Sequence, residues 1–575
     1  MSARRAQPAR PVPVWRLAVA LTVFAAAAGA VAVRLVDLQV VNRDFYQRHG
    51  DARALRTQTI AAHRGIISDR HGAPLAVSVP MVSVWAHPPT LAQASADWAT
   101  LGASLGVSAD RLAQRVARAA DAGKEFVYLG RHLTPEQASA VQALRLDGLY
   151  ETTEYRRFYP DGEVTGHLLG FTNIDDQGLE GLELAYDGHL QGVPGKKWVL
   201  RSRTGETIRE LHQAAASPGG DLRLTLDARV QSMAYRELKA VVRATGARGG
   251  SAVVLKAGTA DVLALVNQPA FNPNNRETMQ PQNVRNRAVT DLIEPGSTLK
   301  PFSIAAALES GAYRPDSKVD TAPGLIRVGA KTFRDYRNYQ QLDLAGILAK
   351  SSNVGVVRVA LSLEPGEVRS VLQRVGFGRP VGSGMPGEAG GFLPPEGTED
   401  PIARATMAFG YGVSVTPLQL ALAYNVLASE GQLAVPRVVA DAPIIREQVL
   451  APEVANAVAQ MLETVVAHGT ATGAQVPGYR VAGKTGTAHI SGEGGYQNSQ
   501  YRAVFAGFLP ASSPEVVIAV VVDQPQGERY SGGAVAAPLF ARIAGGTMRL
   551  LGVPADAAPP PSGERASLWA TRGRQ

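Results

Sequence analysis

The longest apolar run of the chain lies close to its N-terminus. Residues 17–33, LAVALTVFAAAAGAVAV, contain no charge between Arg16 and Arg34. Seventeen residues are near the lower limit for a helix that crosses a membrane. A cleaved signal peptide is the alternative, because the alanine-rich end offers small residues for cleavage. The run is longer than a usual signal core and continues into RLVDLQVV, which favours an uncleaved transmembrane helix over residues 17–36.

The charges around this run predict its orientation. Four arginines precede it, whereas the first acidic residue, Asp37, follows it. Since positively charged flanks stay on the cytoplasmic side of a membrane, residues 1–16 are predicted to be cytoplasmic and the bulk of the chain extracytoplasmic. No later run approaches this length without a charge, and VVIAVVV at residues 516–522 has the length of a buried strand. The pattern predicts a single-pass protein.

The region up to residue 216 changes its pattern twice. Residues 35 to about 60 carry apolar positions at helical spacing, which predicts a juxtamembrane helix. Short strands, turns and small helices follow, beginning with a hairpin at residues 64–78, where apolar runs flank His71-Gly72. QAAASPGGD, residues 213–221, is rich in small residues and predicts the main domain boundary.

The region beyond this linker mixes both periodicities. DLRLTLD alternates as a strand does, ARVQSMAYRELKAVVRA has helical spacing, and SAVVLKAGTADVLALV predicts two strands around a tight turn. Helical patterns follow, and strand patterns return after residue 500. This order predicts an α+β domain whose two ends contribute to one antiparallel sheet. After Val553 the chain becomes a polar tail.

Composition narrows the function classes. With 575 residues, 45% apolar and 19% charged, the chain can bury at least one large core in two or three domains. The net charge of +8 comes from basic residues spread among acidic ones, which argues against a nucleic-acid surface. The absence of cysteine excludes disulfides, thiolate metal sites and a cysteine nucleophile.

Candidate chemistry begins with EPGSTLKPF, residues 294–302. Residues three apart on a helix share a face, so Lys300 can reach the hydroxyl of Ser297 and act as its base. The Pro-Gly pair before Ser297 suits a helix start, where free N–H groups favour a developing anion. On these four residues alone, a capping serine and a solvent-reaching lysine are the better interpretation.

Two later motifs reverse that judgement. KSSNVG, residues 350–355, places the Ser351 hydroxyl and the Asn353 amide at the spacing S-x-N. AGKTGTA, residues 482–488, supplies a cation, a glycine and hydroxyls suited to a substrate carboxylate and backbone. Each motif is weak by itself, but the ordered set of three in one extracytoplasmic domain is a specific signal.

This set resembles the S-x-x-K, S-x-N and K-[ST]-G motifs of penicillin-binding serine acyltransferases. Segments from RGIISDRHGAPLAVS to FGYGVSVTPLQLA further resemble the class B, division-type penicillin-binding proteins, from the apolar run to about residue 552. The resemblance implies an α+β transpeptidase domain of β-lactamase-like fold, with helices flanking an antiparallel sheet, after an elongated β-rich pedestal and one transmembrane helix. The implied limits are 1–16 for the cytoplasmic N-terminus, 17–36 for the helix, 37–216 for the pedestal, 221–552 for the transpeptidase domain and 553–575 for the tail.

The resemblance also implies roles by position. Ser297 becomes the acylated nucleophile and Lys300 its general base. Ser351 relays the proton to the leaving amine, Asn353 holds the substrate amide and Lys300, and Lys484 sets the field around Ser351.

The remaining implied roles concern substrate binding. Thr485 and Thr487 bind the terminal carboxylate, and Gly486 between them leaves room for the substrate backbone. The backbone N–H groups of Ser297 and Thr487 form the oxyanion hole.

The implied activity is a D,D-transpeptidase that cross-links septal peptidoglycan in cell division and is inhibited by β-lactams, without cofactor or metal. The implied location is the bacterial inner membrane at the division septum, with the catalytic domain in the periplasm. Stem peptides ending in D-Ala-D-Ala are the implied donors, and a SEDS-type lipid II polymerase (FtsW) and other division proteins are the implied membrane partners. The segment between the anchor and the catalytic domain is too short for a glycosyltransferase module, so the resemblance implies a monofunctional enzyme.

Two other functions remain open on sequence grounds. A β-lactamase or D,D-carboxypeptidase would hydrolyse the acyl-enzyme, but no Glu-x-x-x-Asn segment for a deacylating water stands between Asn353 and Lys484. A non-catalytic penicillin sensor or division scaffold needs only an acylatable serine, and the chain has no cytoplasmic or multi-span signalling segment to favour it.

Other chemistry-bearing residues are interpreted as structural. GASLG, residues 102–106, fits a nucleophile elbow but lies in a helical pattern with no strand before it. The histidines stand singly, without metal-ligand spacing. Glu180 and Glu183 suit either a motif that positions the pedestal or a solvated helix face. Arg156, Arg157 and Asp161 are expected to form ion pairs between the domains.

Overall fold

The computed structural model describes residues 13–45, 55–94, 97–201, 207–398, 400–492 and 495–557. The chain forms two compact units that interleave along the sequence. The smaller unit takes residues 1–62, 80–155 and 193–217, and the larger unit takes residues 63–79, 156–192 and 218–575. One of these boundaries falls inside the QAAASPGGD linker, whereas the domain limits 37–216 and 221–552 stay predictions.

The N-terminal apolar run is helical. An α-helix spans Val14–Val36 and continues as a π-helical turn over Asp37–Val41, and its side chains are exposed along the α-helix. By length and composition it suffices to cross a membrane, which fits the predicted single span, whereas its retention as an anchor stays a prediction. Residues Gly532–Leu551 are also long and apolar enough, but most of that helix is buried in the larger unit. It is therefore a core helix.

The predicted juxtamembrane helix over residues 35 to about 60 is wrong at its C-terminal end. Residues 46–54 lie outside the described part of the chain, and Leu55–Ile60 is a strand. This strand pairs antiparallel with Gly195–Arg201, which in turn pairs with Thr207–Ala214. Pairing with a distant segment overrides the helical spacing, because the β-branched residues of LRTQTI suit a pleated strand.

The rest of the smaller unit is a strand pair covered by short helices. The end of strand Pro74–Ala86 pairs antiparallel with strand Val127–Leu133. Leu112, Val116 and Ala119 repeat at helical spacing and bury one face of a helix. Strand Leu149–Phe158 begins in this unit, and its helices span Pro88–Leu91, Trp98–Leu105, Ala109–Asp121 and Pro135–Ala143.

A five-stranded antiparallel sheet organises the larger unit. Its strands are β1 (Gly249–Lys256), β2 (Val262–Gln268), β3 (Ala482–Gly492), β4 (Gly495–Leu509) and β5 (Val516–Asp523). The order across the sheet is β2-β1-β5-β4-β3, so both ends of the domain sequence meet at the β1–β5 pair. This confirms the predicted antiparallel sheet. VVIAVVV reads as a continuous apolar run because both faces of β5 are buried.

Helices enclose this sheet. Helix α1 (Ala228–Ala244) begins at the capping carboxylate of Asp227 and packs against β2 and against the C-terminal helix Ala537–Leu551. Helix Pro417–Ala428 is buried at every position, because it contacts β1, β4 and β5 together with other helices. Helix Pro452–His468 packs beside β3. The sheet and helices thus form a continuous core that supports the edge strand β3.

Shorter elements complete the larger unit. Its hairpin pairs Ile67–Ser68 with the start of strand Pro74–Ala86 around the turn at Gly72, as predicted. DLRLTLD forms only the short strand Leu222–Arg223, which pairs parallel with Ile67–Ser68. The other strands are Lys318–Asp320, Leu325–Val328, Lys331–Arg334, Gln341–Asp343, Gln432–Ala434 and Arg446–Gln448. The other helices are Gly166–Leu169, Gly181–Ala185, Asp187–Leu190, Pro281–Val284, Arg287–Thr290, Lys300–Glu309, Leu344–Lys350, Asn353–Ser362, Glu367–Arg374 and Pro401–Met407.

A buried ion cluster lies in the larger unit. Glu183 is fully buried and accepts hydrogen bonds from Arg64 Nε at 2.7 Å and from Arg157 Nε at 2.6 Å. Arg64 also binds Asp187 at 2.7 Å. A buried carboxylate needs such partners, because its lost hydration is otherwise uncompensated. The solvated helix face considered for Glu183 is therefore wrong, and its ion pair with Arg157 lies within one compact unit.

Candidate active site

Ser297 lies on a tight turn that leads into a helix. Residues Gly296–Leu299 form a 3₁₀ turn, and the α-helix Lys300–Glu309 follows with Pro301 in its first turn. A 3₁₀ turn has three residues per turn, which places side chains three apart above one another. Ser297 is partly exposed and Lys300 is fully buried. The nucleophile candidate is therefore partly open to solvent, whereas the candidate base is fully enclosed.

The Lys300 amine contacts the S-x-N segment. Its Nζ lies 2.6 Å from the Ser351 carbonyl oxygen, 3.2 Å from Ser351 Oγ and 2.8 Å from Asn353 Oδ1. Among the described residues, no hydrogen bond joins Lys300 Nζ to Ser297 Oγ. The first two motifs thus meet through Lys300.

Ser351 occupies an unusual backbone position. It ends helix Leu344–Lys350 with φ of 55°, in the left-handed region that residues with a Cβ rarely adopt. Such a conformation costs on the order of 1 kcal/mol and persists where surrounding contacts hold it. Ser352 follows directly and caps helix Asn353–Ser362 by accepting a bond from Gly355 N at 2.8 Å. The reversal turns the Ser351 side chain toward both lysines.

The third motif lies on the edge strand β3. Lys484 Nζ donates to Ser351 Oγ at 3.0 Å and to its neighbour's carbonyl, Thr485 O, at 3.2 Å. Thr485 Oγ1 lies 3.1 Å from Thr470 Oγ1, and Thr487 Oγ1 accepts from Gly532 N at 2.9 Å. Ser351 Oγ therefore lies between two amines that come from two different motifs.

Burial makes both amines unusually acidic. The pKa of Lys300 lies well below its ordinary value, first because of burial and second because of the nearby Lys484 charge, while the carboxylate of Asp335 opposes the shift. Burial also lowers the pKa of Lys484 to about 7. A neutral amine is a general base, so the site holds a proton acceptor near neutral pH.

Gly486 allows β3 to approach the Ser297 turn. A Cβ at this position would lie 2.7 Å from the Pro295 carbonyl oxygen and 3.0 Å from Thr298 Cγ2. Pro295 and Thr298 flank the candidate nucleophile in the sequence. The glycine therefore allows β3 to pack against the Ser297 turn. The sequence had predicted only that it leaves room for the substrate backbone.

Sequence reasoning missed Asp335 and the Arg334 carbonyl. The Asp335 carboxylate accepts bonds from the Ser352 hydroxyl at 2.6 Å and from the N–H groups of Asn353 at 2.6 Å and Val354 at 3.0 Å. The Arg334 carbonyl oxygen accepts from Asn353 Nδ2 at 3.1 Å. No local pattern marks these residues, since they reach the S-x-N segment only through the folding of the chain between.

The other candidates have structural roles. The GASLG segment belongs to helix Trp98–Leu105 and its C-terminal Gly106, as the helical pattern predicts. His167 is buried and donates from Nε2 to the Asn283 carbonyl oxygen at 2.8 Å, and its burial lowers its pKa to about 4. Within the described ranges, no three acidic or histidine side chains gather as metal ligands would.

Comparisons with known proteins cover the same residues. The penicillin binding protein transpeptidase domain model matches residues 250–545, and the penicillin-binding protein dimerisation domain model matches residues 59–224. Peptidoglycan D,D-transpeptidase FtsI of Escherichia coli (strain K12) is 39% identical over 552 residues, covering 94% of this chain and 93% of FtsI. The probable peptidoglycan D,D-transpeptidase PbpC of Pseudomonas aeruginosa is 40% identical over 547 residues, covering 94% of this chain and 96% of PbpC. The crystal structure of penicillin-binding protein 3 from Mycobacterium tuberculosis, complexed with aztreonam, has a TM-score of 0.66 and 28% identity, covering 87% of this chain and 98% of that one.

Proposed function

The chain belongs to the penicillin-binding protein transpeptidase family, and we propose that its larger unit catalyses peptidoglycan D,D-transpeptidation through an acyl-enzyme on Ser297. Membership of this family implies that the protein acts on peptidoglycan and binds β-lactams. One observation supports the site most directly: Ser351 Oγ lies within hydrogen-bond distance of both Lys300 and Lys484, beside the Ser297 turn.

The first half of the reaction forms an ester. Ser297 Oγ attacks the carbonyl carbon of the D-Ala-D-Ala peptide bond while Lys300 takes the hydroxyl proton. The C–N bond then breaks, and the leaving amine of the terminal D-alanine receives a proton through Ser351. Asn353 holds Lys300 and the substrate amide, and the backbone N–H groups of Ser297 and Thr487 stabilise the oxyanion.

The second half transfers the acyl group. An acceptor amine from a neighbouring stem peptide attacks the ester carbonyl, its proton passes back through the same groups, and Ser297 Oγ leaves with a proton. Lys484, Thr485 and Thr487 bind the substrate carboxylate beside Gly486 on β3. The reaction balances with these protein groups and the two peptides alone.

The proposed setting is the division septum. In this proposal residues 1–16 are cytoplasmic and the chain after the N-terminal helix is periplasmic, because the arginines precede the apolar run. We propose that a SEDS-type lipid II polymerase of the FtsW kind contacts this helix. All side chains of helix Val14–Val36 are exposed, which leaves a surface for lipid and for a neighbouring membrane helix.

Labelling with a fluorescent penicillin tests the acyl-enzyme. We expect about one stable adduct per wild-type chain, located on Ser297 by mass spectrometry of a tryptic digest. Ser297→Ala should give no adduct, and Lys300→Ala should slow its formation by roughly 10² to 10⁴ because a positioned base is lost. Ser310→Ala is the matched control, since Ser310 is an exposed serine after the same helix.

Two outcomes would change the assignment. An adduct on another serine would reject Ser297 as the nucleophile. Release of the penicillin within seconds would favour a hydrolase, because a transpeptidase keeps its ester until an amine arrives.

A further inference from the structure

A groove of about 570 Å³ lies in the larger unit, where helix Pro452–His468 leads into strand β3. Val466 and Val476 line this groove and are buried, whereas Ala467 and Pro477 line it and are exposed. Among the described residues that line it, none belongs to the three motifs. Apolar groups gain free energy when they leave water, so such a surface favours an apolar occupant.

The charged side chains at the groove already bind each other. Arg480 and Glu463 both line it. Arg480 donates from Nε and from Nη2 to the two carboxylate oxygens of Glu463, both at 2.9 Å. A charged ligand would compete with this bidentate pair, which again favours an apolar occupant.

The end of the described chain leads into the groove. The Tyr479 hydroxyl donates to the Val553 carbonyl oxygen at 2.6 Å. Four residues later, Ala557 N donates to the Gly478 carbonyl oxygen at 3.1 Å, and Ala557 is itself part of the groove lining. The chain that follows therefore starts from the groove.

The residues that follow carry two suitable side chains. Residues 558–575 lie outside the described part of the chain, and Leu568 and Trp569 are the only large apolar residues among them. Leucine and tryptophan side chains gain much free energy on burial. Three prolines at 559–561 predict a stiff, extended piece, and Ser562-Gly563 predicts a turn after it. This order predicts a chain that leaves the groove and can turn back toward it.

The length of the connection suits a return to the groove. Residues 558–567 join Ala557 to Leu568, and ten residues span at most about 33 Å when extended. The entropic cost of closing such a loop grows only with the logarithm of its length. A tether of this kind holds a segment at a local concentration on the order of millimolar, which favours it over a partner free in solution.

We propose that residues 565–572 dock into this groove through Leu568 and Trp569, as an intramolecular partner of the larger unit. The contact covers the apolar lining and ties the C-terminal segment to the residues just before β3. It is independent of the acylation chemistry, because the groove and the three motifs share no described residue.

Cross-linking of engineered cysteines tests the contact. The natural chain contains no cysteine, so a pair of introduced thiols reports on one distance only. Ala467→Cys is combined with Ala570→Cys in the full-length protein in detergent, and a short bismaleimide joins the two thiols. Cross-linking within one chain should be at least about fivefold faster than in the control pair Gln460→Cys and Ala570→Cys.

Gln460 is the matched control position. It is exposed on the same helix, about two turns before Ala467, and it does not line the groove. The control pair therefore measures the cross-linking that the tether alone produces. Adding Leu568→Ala and Trp569→Ala to the first pair should reduce its rate to that of the control pair.

The reactivity of Ala467→Cys alone gives a second measurement. A maleimide attached to polyethylene glycol should react several-fold more slowly in the full-length chain than in the chain that also carries Leu568→Ala and Trp569→Ala. Gln460→Cys should react equally in both backgrounds. Thermal unfolding of each variant shows whether it is folded.

Three results would overturn the docking. The first is an equal cross-linking rate for the two cysteine pairs. The second is a rate and a maleimide reactivity that do not change when Leu568 and Trp569 are replaced. The third is cross-linking between two chains in place of cross-linking within one, which would make a second copy the occupant of the groove.

Discussion

At the scale of single residues, the site brings two buried amines to one hydroxyl. Lys300 and Lys484 are both fully buried, and both amines contact Ser351 Oγ. A buried ammonium costs free energy unless it is neutralised or paired. Lys484 lies on the edge strand β3, yet its side chain is completely buried.

This burial predicts a pH-dependent stability. The pKa of Lys484 is about 7 in the folded protein, compared with an ordinary value of 10.5. Below pH 7 both states are protonated and the full cost of the buried charge remains. Above pH 7 the folded state loses the proton while the unfolded state keeps it, so stability rises with pH up to the unfolded value.

Replacing Lys484 by Met should therefore stabilise the protein more at pH 6 than at pH 9. The expected difference in the free energy of unfolding is on the order of 1 kcal/mol or more. Urea unfolding at the two pH values measures it. Lys350→Met is the control, because Lys350 is exposed at the end of helix Leu344–Lys350. Equal effects at both pH values would contradict a buried, titrating Lys484.

At the scale of elements, the site forms where three of them end or begin. The 3₁₀ turn at Gly296–Leu299, the reversal at Ser351 and the edge strand β3 each place one motif. Each element is held from behind by buried helices, in particular Pro417–Ala428 and Pro452–His468. The packing of these elements therefore brings together residues that no single motif contains.

Gly486→Ala tests the contact between two of these elements. The added methyl would lie 2.7 Å from the Pro295 carbonyl oxygen, so β3 and the Ser297 turn must separate. We expect a destabilisation of about 1–3 kcal/mol. The acylation rate should fall by more than this loss of stability explains, because Ser297 moves relative to Lys484. Penicillin acylation rates and thermal unfolding are compared in the same preparation.

Gly188→Ala provides the comparison. Gly188 lies in the larger unit with no atom within 4 Å of an added Cβ. Its acylation rate should equal that of the wild type. Normal acylation in Gly486→Ala would refute the close approach of β3 to the nucleophile turn.

At the scale of the whole molecule, two long apolar helices differ in their surroundings. Helix Val14–Val36 is exposed along its length, whereas the other long apolar helix, Gly532–Leu551, is mostly buried. Both are long and apolar enough to cross a membrane, and burial distinguishes them. An exposed apolar helix in water would be unfavourable, so the first fits a single membrane span.

The anchor predicts the behaviour of the full-length protein in membranes. It should resist extraction by salt and by alkali and dissolve in detergent, because its apolar surface is buried in lipid. N-terminal sequencing should find the chain beginning at or near Met1. A mature N-terminus after Ala30 would instead show that the run is a cleaved signal peptide.

The sequence by itself determined the kinds of element and the chemistry of the motifs. Local periodicity predicts helix Ala228–Ala244 and the strand pair β1–β2. The length of the N-terminal apolar run and its lack of charge predict a membrane helix. The three motifs were visible because their spacing is short. The family that these motifs resemble is the one that the comparisons show.

The tertiary structure alone decided what depends on distant pairing and on loss of water. Leu55–Ile60 is a strand because it pairs with Gly195–Arg201. The Glu183 carboxylate can be buried because two arginines bind it. Likewise, the pKa shifts of both lysines arise from burial, which no local pattern encodes. Asp335 reaches the S-x-N segment only after the chain folds back from strand Lys331–Arg334. Hydrogen bonding and desolvation act through space, so these features were beyond sequence periodicity.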